Sequence, residues 1–153
     1  MSPNIFEQAR TVGGYVTRKI APLQAILLSG GPGGSSARAT LAQLRRLSGS
    51  DSPSWIRAGE ILFDGVPELG LSEAGEERTV AAIKASLCLY AYHQQSKSEP
   101  MALVRHAEGD ERPRSFGSSC QRLVTKKHDL SAGVARRLSS AEGATSIEGV
   151  EQC

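Results

Sequence analysis

Residues 72–96 read SEAGEERTVAAIKASLCLYAYHQQS. Ser72 can cap a helix, and Glu73, Glu76 and Glu77 follow it where the helix dipole is positive. From Val80 to Tyr92 only Lys84 and Ser86 are clearly polar. A helix that is apolar on nearly all sides packs on more than one face, so it belongs at the centre of a bundle. The stretch predicts one long central helix over residues 73–96, ended by Glu99 and Pro100.

The flanking segments follow the same period. Ile5, Ala9, Val12, Val16 and Ile20 recur at three- and four-residue steps, the stripe of an amphipathic helix that Asn4 or Ser2 can cap. Gly13 and Gly14 weaken it by about 1 kcal/mol each relative to alanine. Pro22 is expected to end or kink this helix near Ala21 and to open a short apolar turn over residues 22–28. SGGPGGSS, residues 29–36, reads as a loop. Ser36 can cap a second helix with Ala37, Leu41, Leu44 and Leu47 on one face. Residues 48–72 carry Gly49, Pro53, Gly59, Gly65, Pro67 and Gly70 and read as irregular, anchored by Trp55, Ile61, Leu62, Phe63 and Leu69.

Beyond the central helix, residues 105–115 read as a charged loop. Helices are expected over about 115–128 (Phe116, Cys120, Leu123) and 131–141 (Val134, Leu138), with a short last one from Thr145 or Ser146. A helix of two turns is marginal alone, so the chain reads as cut short of a further C-terminal helix. Ile61–Phe63 and Met101–Val104 are the only strand candidates, and both are brief. The expected fold is a single all-α domain over residues 1–153, a small helical bundle.

Composition narrows the function classes. The chain has 153 residues, 39% apolar and 5% aromatic, with a formal net charge of +2. That supports a modest core and argues against disorder throughout. No apolar run reaches the roughly 18 residues of a membrane span, and MSPNIFEQAR does not resemble a secretory leader. Cys88, Cys120 and Cys153 are widely spaced, and a reducing cytoplasm is expected, with Cys88 and Cys120 as small buried hydrophobes.

Catalytic motifs are weak. The Gly-rich loop places Ser35 and Ser36 where a phosphate-binding P-loop needs its lysine, so it reads as a linker. LVRHAEG, residues 103–109, resembles the Arg-His-Gly strand end of histidine phosphatases, with Arg105 to hold a phosphate and His106 as nucleophile. The likeness spans only that stretch, and His128 is the only histidine downstream. His93, His106 and His128 form no metal-ligand pair, and no serine sits in a nucleophile elbow. Neither an enzyme nor a cofactor is expected.

The cations are more informative, because they are unevenly placed. Residues 8–57 hold seven basic residues against Asp51, residues 58–79 hold six acids against Arg78, and residues 112–137 hold seven basics against Asp129. On the second helix Arg38 and Arg45 fall opposite the leucine face, with Arg46 one step round. Arg122 and Lys126, with Lys127 beside them, lie opposite Phe116, Cys120 and Leu123, and Arg136 and Arg137 project from the Val134–Leu138 stripe. With Arg18 and Lys19 on the first helix, these outward cations suit a phosphate backbone. Few aromatics are available for base stacking, so the expected mode is to hold the backbone without reading sequence.

One stretch adds a resemblance. LYAYHQQSKSEPM, Leu89 to Met101, resembles the central-helix signature of the CasB family, the small subunit of the type I-E CRISPR Cascade surveillance complex. YVTRKIAPL (15–23), LAQLRRL (41–47), VPELG (66–70) and ARRLSSAEGATSI (135–147) resemble further family elements in the same order. The chain differs in the extra acids of residues 105–114 and in Leu138, where phenylalanine is usual. The resemblance implies an all-helical, non-catalytic subunit present in two copies beside the other Cascade subunits. It implies contacts with crRNA, target DNA and the displaced strand that stabilise the R-loop. Arg45 and Arg46 match the family's Leu-Arg-Arg element, and Arg136 and Arg137 its late Arg pair. His93, Gln94, Gln95 and Ser96 read as structural, their amides able to satisfy the last carbonyls of the central helix.

Overall fold

A computed structural model describes residues 4–47, 55–102 and 131–144. Its helices are α1 (Ile5–Ser29), α2 (Gly34–Leu47), α3 (Trp55–Phe63), α4 (Glu73–His93) and α5 (Ser131–Gly143), and there is no strand among the described residues. The fold is a small all-α bundle, as the periodicity requires. The chain divides into two compact units, Met1–Val104 with α1–α4 and Arg105–Cys153 with α5.

In the first unit α2 packs on α1, α3 and α4, and α1 packs on α4. Tyr15 and Ile20 from α1, Leu41, Leu44 and Leu47 from α2, Leu62 from α3, and Ile83, Leu87, Cys88, Tyr90 and Ala91 from α4 form the core. Each fully buried leucine stabilises the fold by about 1.5–3 kcal/mol. Cys88 is buried as expected, and its thiol donates to the Leu44 carbonyl at 3.1 Å.

Asn4 caps α1. Its side chain accepts from the amides of Phe6 and Glu7, and the Glu7 carboxylate accepts from the Asn4 amide, a reciprocal capping box. The helix then runs through Pro22 to Ser29, where the sequence had suggested a break. A proline inside a helix removes one backbone bond and costs about 3 kcal/mol. Here Ile20 and Gln24 are buried on either side of it and Leu27 packs on the core, while Pro22 itself is exposed. Tertiary burial outweighs the local penalty. Gly30 ends α1 at φ 66°, a left-handed conformation suited to glycine. Gly33 faces Ile26 so closely that a Cβ would lie 2.8 Å from its Cγ2. The linker reading of this loop therefore shortens to residues 30–33, and α2 starts at Gly34 rather than Ser36.

The stretch 48–72 is not wholly irregular. Trp55–Phe63 is helical, which also removes Ile61–Phe63 as a strand. Leu62 is buried, Ile61 and Phe63 pack against the core, and Gly65 at φ 71° follows the helix end. Met101 and Ala102 form a bend. α4 begins after Ser72, which occupies the cap position without a side-chain cap bond, and stops at His93 rather than residue 96. The expected loop at 105–115, the helix at 115–128, the last C-terminal helix, and the LVRHAEG motif with His106 and His128 all lie outside the described residues.

Candidate nucleic-acid interface

The polar residues that follow α4 build one wall of a cleft. Gln94 continues the stripe of Ile83, Leu87 and Tyr90 and is 1% exposed. A buried amide must be satisfied. Its carboxamide nitrogen, Nε2, donates to the carbonyls of Lys97 (3.2 Å) and Glu99 (3.0 Å), and its Oε1 accepts from the Met101 amide at 3.0 Å. The helix itself closes through backbone bonds, from Gln94 N–H to the Tyr90 carbonyl (2.8 Å) and from Gln95 N–H to the Tyr92 carbonyl (3.2 Å). Gln94 is structural, as expected, but it serves the following loop and not the last carbonyls of α4. Ser96 lies at φ 57°, a left-handed conformation that costs a non-glycine residue about 1 kcal/mol or more. His93, Gln95 and Ser96 are exposed.

The cleft has a volume of about 610 Å³. The loop residues Gln95–Ser98 line one side, Arg38, Leu41 and Arg45 of α2 the other, and Leu27, Leu28 and Gly30 complete it. Its charged lining residues are Arg38, Arg45 and Lys97, with no carboxylate among them. Three cations around a partly apolar cleft attract an anion and repel one another.

The structure distributes the cations picked out by sequence unequally. Arg38 is exposed and lines the cleft. Arg45 is half-buried: its Nη1 donates to the Ala91 carbonyl at 3.3 Å, while its own carbonyl accepts from the Tyr92 hydroxyl at 3.1 Å. Arg38 and Arg45 therefore share the cleft with Leu41, flanking the leucine face instead of opposing it. Arg46 is the one that points away from that face, and it is exposed. Arg18 is exposed on α1. Lys19 is committed locally, in an ion pair with Asp64 at 3.1 Å and 5.6 Å from the centroid of the Tyr15 ring. Among the described residues, Arg18, Arg38 and Arg46 pair with no carboxylate.

In the second unit Arg136 and Arg137 are both exposed on α5, between the exposed Ala135 and Ser139. Arg122, Lys126 and Lys127 lie outside the described residues. Sequence reasoning missed Lys97 and the role of Gln94. The signal for Gln94 was present, since an amide fell in step with the apolar stripe of α4. Lys97 carried no comparable signal, because it belongs to neither basic block.

Among the described residues no helix is long and apolar enough to cross a membrane. A family model described as CRISPR-associated protein Cse2 matches residues 40–152, from within α2 through α5. No curated protein and no solved structure matches the chain. The match spans most of the chain and takes in four of the stretches that carried the resemblance, residues 41–47, 66–70, 89–101 and 135–147, while residues 15–23 lie before it. The chain belongs to the Cse2 family, also called CasB, whose members are subunits of the type I-E CRISPR Cascade.

Proposed function

We propose that this subunit holds nucleic acid by its sugar-phosphate backbone within Cascade and so stabilises the R-loop, with no catalytic step of its own. The observation that carries the reading is the acid-free cleft lined by Arg38, Arg45 and Lys97, with Arg46 exposed on the same helix. Arg18 on α1 and the Arg136–Arg137 pair on α5 add further exposed cations. Arginine suits this task because its planar fork can bond two phosphate oxygens at once. Exchange of a DNA duplex for a guide–target duplex with a displaced strand is nearly balanced in free energy, so a few backbone contacts are enough to tip it. The proposed nucleic-acid partners are crRNA and target DNA, reached in company with the other Cascade subunits and a second copy of this chain.

Affinity purification of the tagged full chain from its host tests the assignment. Co-elution with a short guide RNA and larger subunits, with retention of target DNA lost when Arg38 and Arg46 are both changed to glutamate in a folded protein, supports it. Co-elution of the subunits at the wild-type level with both charges reversed, and with target DNA retained, overturns it.

A protein-only adaptor is the second reading. It is favoured by an apolar groove between α1 and α4, lined by Ile5, Ala9, Val12, Leu71 and Ala82, beside Phe6, which is 81% exposed. That reading predicts assembly with the other subunits and no affinity of the isolated chain for DNA or RNA.

A further inference from the structure

We propose that Gln94 is a positioning residue for nucleic-acid binding, holding Lys97 across the cleft from Arg38 and Arg45. The inference rests on the backbone-binding reading above. Three like charges facing one cleft repel, and a free loop would relax by carrying Lys97 outward. The residues of the loop from 95 to 100 are exposed, so side-chain burial does not hold them in place. The Gln94 carboxamide instead grips the backbone at Lys97, Glu99 and Met101, while the Gln94 carbonyl accepts from the Lys97 amide at 3.2 Å. Ser96, inside the gripped stretch, sits in a left-handed conformation. One buried side chain thus fixes both ends of the wall that presents Lys97.

The test is a double-mutant comparison on the full chain, using a labelled oligothymidine and following affinity against salt. Gln94→Met keeps the side-chain length and removes all three bonds. Its log–log salt slope is expected to become shallower by about one phosphate contact, matching Lys97→Gln, with affinity at moderate salt falling about three- to tenfold. The double variant Gln94→Met/Lys97→Gln should bind no more weakly than either single one. Arg38→Gln should reduce the slope additively with Gln94→Met. Should Gln94→Met fold poorly, Ser96→Pro supplies the second variant: proline cannot adopt a positive φ, so it displaces the loop without touching the core, and the same loss of slope is expected. If the wild-type chain binds with no salt dependence, the backbone-binding reading itself fails. If it binds normally but Gln94→Met and Ser96→Pro keep the wild-type slope, or if the Gln94 and Lys97 effects simply add, the positioning role fails alone.

Discussion

Gln24 and Ala102, 78 residues apart, hold each other by two hydrogen bonds: Gln24 Nε2 donates to the Ala102 carbonyl and Gln24 Oε1 accepts from the Ala102 amide, each at 2.9 Å. The buried amide of α1 thereby pairs with a peptide group as a neighbouring backbone would. It anchors the chain just after the Gln94-held loop. Gln24→Leu keeps the bulk but leaves both Ala102 groups unpaired. It is expected to lower the unfolding free energy by about 1–3 kcal/mol, measurable as a lower midpoint in urea with an unchanged slope.

Tyr90 is an apolar contact with an unused hydroxyl. The ring is in the core, and its oxygen has no hydrogen-bond partner. Burial pushes its pKa up to about 12 from an ordinary value of 10. Tyr90→Phe is therefore expected to be neutral or stabilising, by up to about 1 kcal/mol. The raised pKa also fixes a sign. The folded chain keeps this proton where the unfolded chain has lost it, so stability is full below about pH 10 and falls as pH rises toward 12. Tyr15 adds to the same trend, its pKa raised chiefly by burial against the opposing effect of Lys19. Urea unfolding between pH 9 and 12 checks this: Tyr90→Phe should flatten the alkaline decline, and an equally steep decline in that variant would contradict it.

Arg45 and Arg46 are adjacent and are expected to behave differently. Arg45→Ala removes a bond to the Ala91 carbonyl from a half-buried position and should cost about 1 kcal/mol of stability as well as affinity. Arg46 is exposed and makes no comparable contact, so Arg46→Ala should change stability by less than about 0.5 kcal/mol. Thermal unfolding of the two single variants, set beside their oligonucleotide affinities, separates the two roles. Equal destabilisation by both would show that the distinction is wrong.

The Lys19–Asp64 pair lies at the surface, with the Asp64 side chain 83% exposed. Exposed pairs are worth about 0–1 kcal/mol. Asp64→Asn should therefore shift the unfolding midpoint little. Because Asp64 holds its ammonium, Lys19→Gln should leave the salt slope of binding unchanged. A slope reduced as much as by Arg38→Gln would bring Lys19 into the interface.

Much of the fold was legible because local and tertiary preferences agree in it. Asn4 and Glu7 sit at capping-box spacing, and α4 is apolar over many turns, so both follow from short-range rules. Pro22 misled because its penalty is local, whereas the burial of Ile20 and Gln24 that overrides it comes from other helices. α3 was hidden by Gly59 inside it and by Pro53 and Gly65 around it, although Leu62 is fully buried. The cationic side chains of α2 were legible as a group, but not their division. A wheel angle does not say that Arg45 reaches the end of α4 while Arg46 does not. Lys97 joins the site only through the loop geometry that Gln94 imposes, which no spacing rule encodes.

The role of the exposed α2 cations in holding a phosphate backbone, Arg38 in the cleft and Arg46 beside it, is tested most directly by the salt dependence of oligonucleotide affinity for the full chain and for Arg38→Glu/Arg46→Glu. If about four to six phosphates are neutralised, log affinity should fall with log salt at a slope near −3 to −5 for the wild type. The double variant should show a slope shallower by about two and an unchanged thermal midpoint. A wild-type affinity that does not respond to salt, or a folded double variant with the wild-type slope, would contradict it.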